Sequence, residues 1–158
     1  MSTSDDVFLD AAVDDLVGWL ASALGARPLT VDWVAPEQRL FAVTADTPDR
    51  ELALLLGPNE YGDADPDPDD LSAMDGYPSD LKVRLVGTRD DDIQRRECRW
   101  IFERLVAARP DVPMLLVTNL DTLLAAHLPE AGTHYFEELI SPDPEDLETW
   151  RPWVRGFA

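Results

Sequence analysis

The residues with the clearest chemical pattern are four aspartates that alternate over residues 63–69, inside a long acidic segment. Alternating carboxylates supply ligands in calcium-binding loops, which also need glycine at the sixth position and a bidentate glutamate at the twelfth. This chain has Pro68 and Met74 at those positions. We therefore predict a solvated acidic loop with no metal site, whose carboxylates are candidates for binding a basic partner.

Histidine and cysteine, which provide most nucleophilic and metal-binding chemistry, are represented only by His127, His134 and Cys98. The two histidines lack the spacing of a zinc site on one helix. Cys98 lies in an apolar helical stripe, which favours a core thiol over a Cys98–His134 nucleophile pair. The glycines form no phosphate-binding loop. We predict no catalytic residue, no cofactor and no enzymatic activity.

Arginine offers a third chemistry, because Arg95, Arg96 and Arg99 gather on one face of a predicted helix. Such a cluster can bind a phosphate or a carboxylate. Each of the three also has an acidic residue four positions away, a spacing typical of ion pairs on a helix surface. We favour the interpretation as surface ion pairs.

The net charge excludes several classes of function. The 158 residues carry 32 acidic and 13 basic side chains, a formal charge of -19. This balance repels nucleic acid and anionic membranes and favours a basic protein partner, although salt adaptation and coding bias are alternative origins of the charge. No apolar run approaches the roughly 20 residues that cross a bilayer, and neither a secretory signal pattern nor a cysteine pair is present. We predict a cytoplasmic protein with no membrane role.

Hydrophobic periodicity predicts the elements of the first half of the chain. A helix is predicted from Thr3 or Ser4 to Gly25, with apolar residues at helical spacing from Leu9 onward. Alternating apolar residues then predict a three-stranded meander. Its strands span residues 29–33, 41–45 and 52–56.

The second half of the chain is predicted to alternate strands and helices. Its elements are a strand at 81–85, a helix from Asp90 or Asp91 to Ala108, a buried strand at 114–117, a short helix through His127 and a last helix from Asp143. The aromatic residues after position 149 are expected to dock on the chain's own sheet, with a partner's groove or a homodimer contact as the alternatives.

These elements predict a single α+β domain over residues 1–158. Its antiparallel sheet has four to five strands with helices packed on it, and an acidic, Pro-rich loop at 57–80 interrupts the pattern. The centre of that loop is expected to be disordered, since it combines high charge with few apolar residues.

Function is predicted from charge and from the aromatic residues near it. We expect a protein-binding module, most simply an immunity or inhibitor protein that blocks a basic toxin or effector. The alternatives are a secretion-chaperone-like adaptor and a small enzyme that uses a carboxylate or Cys98. The predicted partner-binding residues are Tyr61, Asp63, Asp65, Asp67, Asp69, Asp70 and Tyr77 in the loop, with Asp10 and Asp14 near the first helix.

Overall fold

One antiparallel sheet of eight strands organises the protein in the computed structural model, which describes residues 4–156. The α+β class is confirmed, but the predicted number of four to five strands is wrong. The strands lie in the order β2-β3-β4-β5-β1-β6-β7-β8. They are β1 Asp5–Leu9, β2 Arg27–Leu29, β3 Arg39–Thr44, β4 Glu51–Pro58, β5 Ser79–Leu85, β6 Met114–Thr118, β7 Thr122–Leu128 and β8 Gly132–Ile140.

Strand β1 occupies the centre of the sheet, between β5 and β6. All five of its residues are buried, because both faces of the sheet are covered there. The predicted N-terminal helix is therefore wrong over residues 5–9. A strand buried on both sides has no simple alternation, so Leu9 could be assigned equally well to the helical stripe that follows it.

Two helices cover the first face of the sheet. Helix α1 spans Val13–Leu24 and ends at Gly25, whose φ of 65° is left-handed and suits glycine. Helix α2 spans Asp91–Ala108, as predicted, and the Asp90 carboxylate accepts the Ile93 N–H at its start. Both bury leucine-rich or aromatic stripes against the first core. The predicted apolar stripe of α2 is confirmed by the burial of Cys98, Ile101, Phe102 and Leu105.

The second face of the sheet is covered over only part of its width. A second core packs on β1, β6 and β7, and no residue of β2, β3 or β4 belongs to it. Its cover comes from the loop after β4 and from the C-terminal segment, which includes helix α3 (Leu147–Trp150). Trp150 and Val154 are fully buried there, in agreement with docking on the chain's own sheet. The predicted docking residue Phe157 lies outside the described residues.

The C-terminal helix predicted from Asp143 is much shorter than expected. A 3-10 turn at Pro144–Asp146 leads into α3, and a second at Arg151–Trp153 follows it. Pro152 fits because a residue in the first turn of a helix needs no N–H donor.

Two further predicted elements differ from the structure, and one strand was not predicted. The short helix through His127 is wrong, because a hairpin joins β6 to β7 through Asn119 and Leu120, both at positive φ. This geometry is typical of a tight hairpin turn, but leucine is not a residue that signals it. Strand β8 was not predicted. Strand β2 ends at Leu29, so Trp33 is outside the sheet and 68% exposed.

Candidate functional site

The acidic loop after β4 is an ordered structure that hydrogen bonds to itself. The Asn59 side chain donates to the backbone carbonyls of Met74 (2.9 Å) and Tyr77 (2.8 Å), which joins the two ends of the loop. The Asp75 carboxylate accepts the N–H groups of Asp63 (2.9 Å) and Ser72 (2.8 Å). Half-buried amide and carboxylate groups thus supply the hydrogen bonds that regular structure would otherwise provide, in a segment whose centre was predicted to be disordered.

Three apolar residues near the end of the loop anchor it in the second core. Ala73, Met74 and Tyr77 are all buried, and Tyr77 is 2% exposed. Burial raises the pKa of the Tyr77 hydroxyl, which accepts the Arg155 N–H at 3.2 Å. The predicted partner-binding residue Tyr77 is thus placed inside the protein. It supports the loop from beneath and does not present its ring to the surface.

The five loop aspartates all lie on the surface. None has a lysine, arginine or histidine nitrogen within 4 Å among the described residues. Their local contacts are turn hydrogen bonds, such as the Asp65 N–H donated to the Asp63 carboxylate at 3.0 Å. The loop therefore presents carboxylates held by an anchored backbone, with no compensating cation. These residues are Asp63, Asp65, Asp67, Asp69 and Asp70, which we call the acidic loop residues.

The two other predicted acidic residues differ in their surroundings. Asp10 follows β1 and forms a 2.8 Å ion pair with Arg155, so its charge is already compensated. Asp10, Gly62 and Gly76 line one cleft, of about 460 Å³, between the loop and the C-terminal segment. Asp14 lies exposed in the first turn of α1 without an ion pair among the described residues. The structure therefore brings Asp10 to the loop and leaves Asp14 as a free surface carboxylate.

Tyr61 lies at the start of the loop and connects it to the sheet. Its hydroxyl accepts a hydrogen bond from Lys82 Nζ at 2.9 Å, and the same ammonium lies 4.5 Å from the centroid of its ring. The ring edge also contacts Phe8 in a T-shaped arrangement. Tyr61 remains 40% exposed, so it is the predicted aromatic residue that a partner can contact.

Lys82 is also the centre of a buried ionic cluster that the sequence analysis missed. Its ammonium donates to the carboxylates of Asp80 (2.7 Å) and Asp6 (3.2 Å) as well as to Tyr61, which uses all three of its donors. The Asp6 and Asp80 side chains are 0% and 5% exposed. The only sequence signal was an alternating strand that contained the chain's single lysine.

The surroundings of Asp80 in this cluster favour the protonated form of its carboxyl. Burial, followed by the neighbouring Asp6, raises the pKa of the Asp80 carboxyl to about 8, and Lys82 only partly offsets this rise. Asp80 Oδ1 has no donor among the described residues, as expected if this oxygen carries the proton toward Asp6. Burial lowers the pKa of Lys82, but its bonds to Asp80 and Tyr61 outweigh this effect and raise it. The cluster therefore favours a charged Lys82 and a protonated Asp80.

The ionic cluster marks the border between the covered and the uncovered parts of the second face. Residues that pair across strands point to the same side, so the register places one row across the whole sheet. The row runs through Leu29, Leu40, Leu55, Lys82, Asp6 and Val117. Val117 lies in the second core, whereas Leu29 is 44% exposed and Leu55 half-exposed. We call the apolar residues Leu29, Leu40, Ala42, Ala53 and Leu55 the open half-sheet; none of them belongs to either core, although Leu40 and Ala42 are buried and only Leu29, Ala53 and Leu55 reach the surface.

The cysteine and the two histidines, the other candidates for catalysis, are held in structural contacts. Cys98 is buried on the first face, where burial raises the pKa of its thiol, while His134 stacks on Trp153 on the second face. The sheet therefore separates the two members of the predicted nucleophile pair. His127 lies in β7, not at a helix end, and its ring bonds Pro110 O and Thr133 Oγ1 at 2.8 Å each. In residues 4–156, no three His, Cys, Asp or Glu side chains converge where a metal ion could bind.

The predicted ion pairs on α2 form only in part. Arg99 pairs with Glu103 at 3.5 Å, four residues away, as expected. Arg95 and Arg96 have no carboxylate within 4 Å in the described part of the chain, and Arg96 donates to Thr47 Oγ1 instead. Two of the three arginines are thus left without the partner that the spacing predicted.

Comparison with known proteins adds no relative. No protein-family model, curated protein or solved structure matches this chain. Within residues 4–156, every helix is too short or too polar to cross a lipid bilayer.

Proposed function

We propose that this protein binds a basic protein partner through the acidic loop residues and the apolar surface beside them. The observation that supports this most is the anchored loop, which presents five uncompensated carboxylates on an ordered backbone. Preorganisation lowers the entropic cost of binding, and aligned negative charge accelerates encounter with a basic surface.

The loop residue Tyr61 connects this charge to an apolar surface. Its ring lies on Lys82, the cross-strand neighbour of Leu55, so the acidic loop meets the open half-sheet at this point. A partner that places basic side chains on the loop and apolar side chains on Leu29 and Leu55 would use both surfaces. Charge would then govern the association rate, and apolar burial the dissociation rate.

An immunity or inhibitor protein is the form of this function that we favour. Toxins and effectors that act on anionic substrates present basic clefts, and a projecting acidic loop is complementary to them. We place the protein in the cytoplasm, which is consistent with a lone, free and buried Cys98. Nucleic acid and anionic membranes are not proposed as partners, because a charge of -19 repels both.

A chaperone-like adaptor is the second candidate, and the open half-sheet favours it. The accessible apolar residues of this face, Leu29, Ala53 and Leu55, can contact an apolar client segment even without help from the loop. The same face could also bind a second copy of the chain, although mutual repulsion between two bodies of charge -19 opposes this.

A comparative capture experiment tests the proposal. The bait is the wild-type protein in lysate of the source cells at low salt, beside a loop variant with all five acidic loop residues changed from Asp to Asn. The control variant loses the same charge at five exposed acids elsewhere: Asp32, Glu37, Asp46, Asp49 and Glu130.

We expect a basic protein to be captured by the wild type and by the control variant, and at least tenfold less by the loop variant. The captured protein is then purified and titrated calorimetrically with all three baits, and its own activity is assayed with and without them. Inhibition supports the immunity form, while binding without inhibition supports the adaptor. A partner held equally by the loop and control variants, or none at all, contradicts a role for the loop.

A further inference from the structure

A second surface of the protein, on the first face of the sheet, has the opposite charge. Helix α2 packs over β5, β1 and β6, so the first face of β7 and β8 continues beyond its edge. The helix edge and these strands enclose a groove of about 400 Å³. It is lined by Asp92, Arg95, Arg96 and Arg99 from α2, Leu116 from β6, Leu124 from β7, and Tyr135 and Phe136 from β8.

The wall of the groove is cationic because of the helical spacing. Positions 92, 95, 96 and 99 follow one helix face and bring three arginines to the groove beside the Asp92 carboxylate. The Arg96 guanidinium donates to Thr47 Oγ1 at 2.8 Å, and Arg99 pairs with the Glu103 carboxylate at 3.5 Å. Arg95 and Arg96 have no carboxylate within 4 Å in residues 4–156, although the chain contains 32 acids. Arg95 is therefore the groove cation that has neither an ion pair nor a side-chain hydrogen bond within residues 4–156, and it lines the groove.

The floor of the groove is apolar and aromatic. Leu116 is buried, and Leu124 and Tyr135 are half-buried beside the first core. The Arg99 guanidinium lies 4.2 Å from the centroid of the Tyr135 ring, which fixes one cation at the junction of wall and floor. The groove therefore combines a flat apolar surface with guanidinium groups at one side.

We propose that this groove is a binding site for a small organic anion, in which a carboxylate or phosphate is attached to an apolar or aromatic body. A guanidinium donates two parallel N–H bonds to either anionic group, and the floor would cover the body of the ligand. The negative charge of the whole protein does not prevent this, because solvent ions screen charges beyond about 8 Å at physiological salt. The site does not involve the acidic loop, so it is independent of the proposed partner binding.

An aromatic carboxylate, 2-naphthoate, is a suitable probe for this site. The ¹⁵N-labelled wild-type protein is titrated at physiological salt, and the amide signals of Leu124 and Tyr135 are followed together with the arginine Nε–Hε signals. Two matched ligands are titrated in the same way: 2-naphthylmethanol, which keeps the rings but lacks the charge, and inorganic phosphate, which keeps a charge but lacks the rings.

The test variant is the double change Arg95→Gln and Arg99→Gln. The control variant is Arg89→Gln, which removes an exposed arginine whose ion pair with Asp91 lies outside the groove. All of these side chains are exposed, and the amide spectrum of each variant reports directly whether it is folded.

We expect saturable shifts at Leu124 and Tyr135 with 2-naphthoate, unchanged in the control variant and at least tenfold weaker in the double variant, because each lost charged hydrogen bond costs about a factor of ten or more. Phosphate and 2-naphthylmethanol should each bind at least tenfold more weakly. The proposal is overturned by any of three results: no saturation by about 10 mM naphthoate, equal binding of the neutral ligand, or equal loss in the control variant. Phosphate binding as tightly as naphthoate would overturn the organic class of ligand.

Discussion

At the scale of single residues, the ionic cluster of Asp6, Asp80 and Lys82 is the feature most sensitive to conditions. Burial, followed by the neighbouring Asp6 carboxylate, raises the pKa of Asp80, although the Lys82 ammonium bonds to both side chains. The cluster also supports Tyr61 at the border of the open half-sheet. Its protonation state therefore affects both stability and a surface that we propose to be functional.

The pH dependence of the unfolding free energy should report the raised pKa of Asp80. The ordinary pKa of an aspartate is 3.8, and that of folded Asp80 is raised to about 8, so between these values the folded protein holds a proton that the unfolded chain releases. The stability that this group contributes is therefore greatest below about pH 4 and falls as the pH rises toward 8. We expect Asp80→Asn, which cannot ionise, to gain more than about 1 kcal/mol relative to wild type over that range.

Urea unfolding of both proteins at several pH values between 4 and 9 measures this difference. The exposed Asp32→Asn change serves as the control for the removal of one surface charge. If the stability of wild type and of Asp80→Asn changed with pH in parallel, this result would contradict the raised pKa of Asp80.

At the scale of elements, one buried carboxylate fixes α2 to the turn between β3 and β4. Glu97 is 1% exposed and accepts the N–H groups of Asp46 (3.0 Å) and Thr47 (2.6 Å), together with the Thr47 hydroxyl. This contact satisfies turn amides that no strand partner reaches. It also holds in position the helix whose outer edge forms the arginine groove.

Replacing that carboxylate by an amide should destabilise the fold. In Glu97→Gln one acceptor oxygen becomes an NH₂ group facing backbone N–H donors, so we expect a loss of about 1–3 kcal/mol in the free energy of urea unfolding. Glu103→Gln, on the exposed side of the same helix, should change it by less than about 0.5 kcal/mol. Equal effects of the two changes would show that the Glu97 contacts contribute no more to the free energy of unfolding than an exposed carboxylate does.

The C-terminal segment is the other element with a measurable role. Trp150 is fully buried in the second core and its indole N–H donates to Asp143 O at 3.1 Å. Trp150→Ala should lower the unfolding free energy by about 3–5 kcal/mol, since it leaves a large cavity against the sheet. Trp33→Ala, at a residue that is 68% exposed, is the matched control and should be nearly neutral. Similar losses in calorimetric unfolding for both variants would contradict this role of the segment.

At the scale of the whole molecule, the charge of -19 acts against the compact state. Like charges on a folded surface repel one another more than in the expanded chain, and salt screens this repulsion to about 3 Å at 1 M. We expect the urea midpoint to rise between low salt and 1 M NaCl. The loop variant with five Asp→Asn changes should show a smaller rise, and a midpoint that does not depend on salt would contradict net self-repulsion.

The dependence of binding on salt also distinguishes the two binding surfaces that we propose. Salt should weaken partner binding at the acidic loop, where the contact is charged and exposed. Binding of naphthoate should depend less steeply on salt, because part of its contact is with the apolar floor. The two sites can therefore be distinguished in one protein by their response to ionic strength.

Local sequence was enough to predict those elements whose hydrophobic pattern fits only one type of secondary structure. Helix α2 was predictable because a capping aspartate precedes it, apolar residues repeat at helical spacing and prolines follow it. Strand β4 was predictable because one of its faces is covered more deeply than the other, which produces alternation along its residues. The acidic loop and its exposed aspartates were likewise evident from composition, although its anchoring was not.

The tertiary structure decided what depends on contacts between distant residues. Strand β1 inserts between β5 and β6, and burial on both sides removes the alternation that would have identified it. The ionic cluster joins Asp6 to Asp80 and Lys82 through that insertion, so neither the raised pKa of Asp80 nor the place of the cluster at the border of the open half-sheet can be derived from local pattern. The sequence by itself determined the charge, the α+β class and the arginine stripe of α2. Only the fold decided that β7 and β8 lie beside that stripe, because strand pairing is set by the burial of the whole sheet.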